Sequence, residues 1–145
     1  MDRDVIGFAA GCRARGVNIA NCPAYIQKRV ESEVHETANK CYHTIHKERP
    51  DWQLFRDGRP GGESPNEVST RADRAMKRAR AVKGDLLLFS SAHFLRVLAA
   101  RWLGLDPAFG RYFVLSTASV SALGYQHNLS EPVIRLWDDT RHVGS

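Results

Sequence analysis

The sequence predicts an α/β domain with a mainly parallel sheet, and three observations carry that expectation. Leu86-Leu87-Leu88-Phe89 is a continuous apolar run between turn signals, the pattern of a strand covered on both faces. An amphipathic helix precedes this run, and a helix apolar almost all round follows it at once. Two further runs with strand character, residues 119–125 and 132–137, complete the alternation of helix and strand.

The elements are expected in the following order. Val5, Ile6 and Phe8 suit a short strand that Gly7 weakens, and Val17-Asn18-Ile19-Ala20 suit another. Pro23 fits the first turn of a helix capped by Asn21 or Cys22. Ile26, Val30, Val34, Ala38, Cys41 and Ile45 then share one face, and that helix ends before Pro50. Residues 50–63 are punctuated by Pro50, Gly58, Pro60, Gly61 and Gly62 and read as a loop. Trp52, Leu54 and Phe55 within it need burial, so it is expected to be packed down. Ser64-Pro65-Asn66-Glu67 opens a helix with a capping box. Its apolar stripe is Val68, Ala72, Ala75, Met76, Ala79 and Val82, and Gly84 ends it. The strand 86–89 leads into a helix from Phe94 to Leu103, closed by Gly104. Residues 107–115 have room for a short helix, and the polar loop 126–131 joins the last two strands.

Bulk composition excludes several classes. The chain has 145 residues, of which 43% are hydrophobic and 26% charged, which suits one globular domain rather than disorder. Three cysteines argue against a disulfide framework and for a reducing compartment. The start, Met1-Asp2-Arg3-Asp4, has none of the basic character of a secretory signal. No apolar run reaches the roughly 18 residues of a membrane span. The chain is therefore expected in the cytoplasm, without membrane contact. The net charge of +5 favours acidic or phosphorylated partners.

Several constellations have chemical potential. Ser90-Ser91-Ala92-His93 sits where a strand ends and a helix begins, the place at which open α/β sheets bind ligands and helix amides meet anions. There His93 and Ser91 can donate hydrogen bonds or move protons. Pro60-Gly61-Gly62-Glu63-Ser64 is a Gly-Gly turn before a helix, read more simply as a tight turn and cap. Arg71, Arg74, Lys77, Arg78, Arg80 and Lys83 make a basic face on the 64–83 helix. Without interleaved aromatics that face reads as solvated, not as a nucleic-acid surface. Cys12, Cys22, His35, Cys41, His43 and His46 lack zinc-ligand spacing, so no metal and no cofactor are expected. Asn128-Leu129-Ser130 matches a glycosylation acceptor by chance.

The residues from about 45 to 138 resemble the bacterial histidine phosphatases, the phosphoglycerate-mutase-like proteins. The segments that do so are Glu48-Arg49-Pro50-Asp51-Trp52, Leu54-Phe55-Arg56-Asp57-Gly58, Pro60-Gly61-Gly62-Glu63-Ser64-Pro65, and Leu87 through Gly104. Thr117-Ala118-Ser119-Val120-Ser121, Leu123-Gly124-Tyr125 and Val133-Ile134-Arg135-Leu136-Trp137 resemble the family's last two strands. The resemblance implies a three-layer α/β domain with flanking helices and a divergent or incomplete N-terminal part. It divides the chain into an N-terminal segment at 1–46, a core at 47–138 and a tail at 139–145. It also implies phosphomonoester hydrolysis through a phosphohistidine, on a small phosphorylated substrate.

The chain departs from that pattern where the chemistry resides. No Arg-His-Gly follows the first strand, and Arg141-His142-Val143-Gly144 is only an interrupted echo at the other end. By family analogy the acid falls on Glu31 or Glu33. Aligned on Leu95-Arg96, the family's second histidine corresponds to Ser91 and its glycine to Ala92, with His93 two positions on. His93 is the catalytic candidate, and Ser91, Arg96 and Glu63 are the phosphate- and substrate-binding candidates; the resemblance itself places the family's histidine slot at Ser91 and its arginine at Arg96. His35, His43 and His46 are the alternatives for the nucleophile. Catalysis is expected to be weak or lost. The competing reading is a non-catalytic basic module that binds a phosphorylated ligand or nucleic acid. Self-association is expected if nothing in residues 1–47 pairs with the 86–89 strand.

Overall fold

The computed structural model describes residues 6–10 and 44–143. The expected strand 17–20, the expected helix up to residue 43, and Glu31, Glu33, His35 and His43 lie outside the described residues, as do all three cysteines. Helical residues 44–48 are followed by Pro50, in line with a helix ending there.

Four strands form the described sheet: β1 (Ile6–Ala10), β2 (Leu86–Ser90), β3 (Val120–Tyr125) and β4 (Pro132–Asp139). Their spatial order is β2-β1-β3-β4. β1 is parallel to β2, with Ile6 opposite Leu86 and Ala10 opposite Ser90. It is antiparallel to β3, and β3 is antiparallel to β4. The α/β class holds, but one of these three pairings is parallel and two are antiparallel, so the described sheet is mixed where a mainly parallel one was expected. The reason is chain length. Only six residues separate β3 from β4, which suffices for a hairpin, whereas a parallel return needs a dozen or more. β1 pairs with one edge of β2, and the other edge of β2 is the margin of the described sheet.

Besides the helical residues 44–48, three α-helices are described: α1 (Leu54–Asp57), α2 (Pro65–Arg80) and α3 (Ala92–Trp102). The loop 50–63 is indeed packed down. Trp52 is buried and donates its indole N–H to the Gly58 carbonyl at 3.0 Å, and Phe55 is buried on α1. α2 begins with the expected capping box. The Ser64 hydroxyl accepts from the Glu67 amide, and the Glu67 carboxylate accepts from the Ser64 amide. Val68, Ala72 and Met76 are its buried face. The helix ends at Arg80, four residues before Gly84, so Val82 leaves the stripe and stands 43% exposed.

α3 is the centre of the core. Phe94, Leu95, Val97, Leu98, Ala99, Ala100 and Trp102 are all buried, which is why the helix is apolar all round. It closes as a Schellman motif. The Leu105 amide donates to the Ala100 carbonyl and the Gly104 amide to that of Arg101, with Gly104 at φ +75°, a conformation that favours glycine. Leu88 joins this cluster, whereas Leu87 is 43% exposed. Among the described residues the helical core meets the Leu88 face, and Leu87 stands outside it, so the expected cover on both faces is not seen there. Among the described residues no helix is long and apolar enough to cross a membrane.

Behind α3 runs a 3-10 segment, Pro107–Tyr112, with Gly110 buried. A Cβ at Gly110 would lie 2.8 Å from the Phe55 ring and 3.2 Å from the Arg96 backbone. Gly110→Ala is expected to destabilise the fold by about 1–3 kcal/mol through overpacking. Urea denaturation measures this; an unchanged midpoint would show that the contact can relax.

Candidate active site

The parallel pair β1 and β2 sets one end of the sheet apart. Their carboxyl ends lie side by side, with Ala10 opposite Ser90. β3 begins at the same end, Val120 facing Ala9, and β4 finishes there, Asp139 facing Val120. The β2-to-α3 junction, the loop 113–119 and the end of β4 therefore converge beyond the strand ends, where ligands bind in open α/β sheets.

Ser91 is the N-cap of α3. Its hydroxyl accepts from the Phe94 amide at a long 3.5 Å, a weak cap that leaves the first-turn N–H groups open to another acceptor. Ser91 itself is exposed, so an anion can approach. The positive end of the α3 dipole points the same way.

His93 is turned into the protein. Its ring lies 4.6 Å from that of Phe55, tilted by 50°, and its Nδ1 is buried with no hydrogen-bond partner among the described residues. Burial, reinforced by the Arg96 and Arg71 guanidinium groups and opposed by Glu63, lowers its pKa to about 4. At neutral pH the ring is uncharged. It can offer one donor and one acceptor, but it is no cationic phosphate clamp.

Arg96 is fastened to the wall. Its Nε donates to the Gly110 carbonyl at 2.9 Å and its Nη2 to that of Arg111 at 2.9 Å. Its guanidinium lies 4.5 Å over the Phe55 ring, and burial pulls its pKa below the ordinary value. These contacts make it a brace for the 107–112 segment. Glu63 is held by Arg71 through two bonds of 2.9 and 2.6 Å, so its charge is matched locally rather than presented bare to an anion. Arg71 also lies 4.3 Å over the Phe94 ring.

The structure thus gathers Ser91, His93, Arg96 and Glu63 around the start of α3. It adds Phe55 and Arg71, whose place there sequence reasoning missed. The signal for Arg71 was its position three residues after buried Val68, at the edge of the apolar stripe. The far rim was missed as well. The Asp138 carboxylate accepts from the Ser116 amide at 2.6 Å and its hydroxyl at 3.0 Å, which lowers its pKa. Asp138 adopts φ +55° and Ala118 φ +61°, two non-glycine residues in the left-handed region. His46 is not part of this group; it lies edge-on to Trp52 at 5.6 Å. Arg141, in the C-terminal echo, is taken up by Asp139.

Comparison with known proteins places the chain by family and fold. A model of the histidine phosphatase superfamily (branch 1) matches residues 23–140. An acid phosphatase of Mycobacterium tuberculosis is 36% identical over 89 residues, covering 60% of this chain and 44% of that protein. A sedoheptulose 1,7-bisphosphatase of Saccharomyces cerevisiae is 34% identical over 70 residues, covering 42% of this chain and 26% of its own. The chain thus spans less than half the length of the curated relatives it matches. The solved structure of an open-reading-frame product of M. tuberculosis superposes with a TM-score of 0.62 at 33% identity, covering 67% of this chain and 50% of that one.

Proposed function

The chain belongs to the histidine phosphatase superfamily (branch 1), and from that premise we propose that it binds small phosphorylated substrates at the start of α3 and hydrolyses them weakly or not at all. The observation that carries this reading is the pairing of β1 with β2. β1 occupies the strand position that, by resemblance, leads into the nucleophile motif, with Ala10 opposite Ser90. Its sequence continues Gly11-Cys12-Arg13, with no histidine. Ser91 stands in the slot of the second histidine. A serine hydroxyl does not exchange protons near neutral pH as imidazole does. His93 is two positions on, neutral and turned against Phe55.

What remains is a phosphate cradle. The first-turn amides of α3 supply donors, the Ser91 hydroxyl supplies another, and Arg96, held by carbonyl groups rather than by a carboxylate, biases the local potential towards anions. We place the protein in the cytoplasm, on its low cysteine count.

A phosphate titration followed by amide NMR tests the cradle. Saturable shifts are expected at Ala92, His93 and Phe94. Ser91→Asp keeps a good N-cap while placing a carboxylate against the anion, and should weaken binding by about tenfold or more. Undiminished binding in that variant would place the phosphate elsewhere.

A further inference from the structure

We infer that the cleft between the second half of α2 and the end of α3 is a second anion site, separate from the one at the start of α3. A cavity of about 360 Å³ opens there, lined by Asp73, Met76, Lys77, Arg80 and Arg101. Three cations thus face one carboxylate, and that carboxylate is already matched. Asp73 accepts from Arg101 Nε at 3.0 Å and Nη2 at 3.2 Å. The remaining Arg101 nitrogen, Nη1, donates to the Leu105 carbonyl at 3.0 Å, which fixes this wall of the cleft.

Among the described residues, no carboxylate pairs with Lys77 or Arg80. They are three residues apart on α2 and therefore neighbours on its surface. The Arg80 guanidinium lies 4.8 Å over the Trp102 ring. Trp102 is itself held by an indole bond to the Gly124 carbonyl at 3.2 Å. Arg80 is thus steadied by stacking rather than by an ion pair, which leaves its N–H groups for a ligand. Met76 gives the cleft an apolar floor.

Cations near a helix C-terminus also favour its dipole, and that effect accounts for Lys77, Arg78 and Arg80 as charges. It requires no recess, no stacking platform and no fixed third cation. A recess with these two cations and a rigid guanidinium wall fits a small polyanion carrying phosphate groups, held by charge-assisted hydrogen bonds. Ser91 and Arg101 are ten residues apart along α3, about 15 Å at the helical rise, so the two sites do not share a ligand.

Titration with inorganic pyrophosphate, followed through the side-chain signals of Lys77, Arg80 and Arg101, tests this site without reference to the strand-end cradle. Saturable shifts are expected that weaken with added salt and fall about tenfold or more in Lys77→Gln or Arg80→Gln. Ser91→Asp should leave them in place. Lys77 is exposed and is the safer variant if loss of the Arg80 stack disturbs folding. Non-saturable shifts, binding that both glutamine variants retain, or shifts confined to Ala92–Phe94 would overturn the inference.

Discussion

Trp102→Ala is expected to remove most of the stability of the domain. Trp102 is 2% exposed and among the largest fully buried side chains. Its ring packs 5.0 Å from that of Tyr125. Truncating a buried tryptophan costs about 3–5 kcal/mol, and stranding the Gly124 carbonyl that it serves adds about 1–3 kcal/mol. Domains of this size have roughly 5–15 kcal/mol in total. Urea unfolding should therefore show little or no native baseline for the variant. Trp102→Phe keeps a ring but loses the indole donor, and should fall between the two. A midpoint for Trp102→Ala close to that of the parent chain would contradict the placement of Trp102 at the centre of the core.

The second large effect is a loss of stability in mild acid through His93. Its pKa is about 4 in the folded chain against an ordinary 6.5. Between these values the unfolded chain binds the proton and the folded chain does not, so stability falls as pH falls. The contribution is fully present above about pH 6.5 and gone at about pH 4, a change on the order of 3 kcal/mol. Asp57, lowered to about 2 by its bond to Arg56 and the Gln53 amide, acts mainly below this window. Stability measured across pH 7 to 4 should slope in the parent chain and flatten in His93→Gln. An equal slope in both would assign the acid sensitivity to other groups.

Much of the scaffold was legible because its signals are local. The capping box at Ser64 and Glu67, the stripe Val68, Ala72 and Met76, and the Gly104 cap are read from residues three or four apart. β1 was harder. Gly7, Ala9 and Ala10 have poor strand propensity, yet the strand lies between β2 and β3; pairing on both edges outweighs propensity. The mixed sheet and the exposure of Leu87 depend on which strands become neighbours, which no run of residues encodes. At the site, Ser91 and His93 were legible from the strand-to-helix junction, Glu63 from the Gly-Gly turn and Arg96 from the family resemblance, but their states were not. The neutral His93, the bracing role of Arg96 and the Glu63–Arg71 pair come from contacts 8–38 positions apart, such as Phe55 with His93 and Arg96 with Gly110. The Ser116–Asp138 bridge spans 22 positions and left no local trace.

The central claim is that this chain keeps a phosphate-binding junction without an efficient nucleophile. Release of inorganic phosphate from a phosphomonoester between pH 5 and 7, with acid-quenched protein examined for phosphohistidine, tests it most directly. The account predicts turnover close to background, no phosphohistidine, and no further loss in His93→Ala. Robust turnover that His93→Ala abolishes would contradict it and make His93 a catalytic residue.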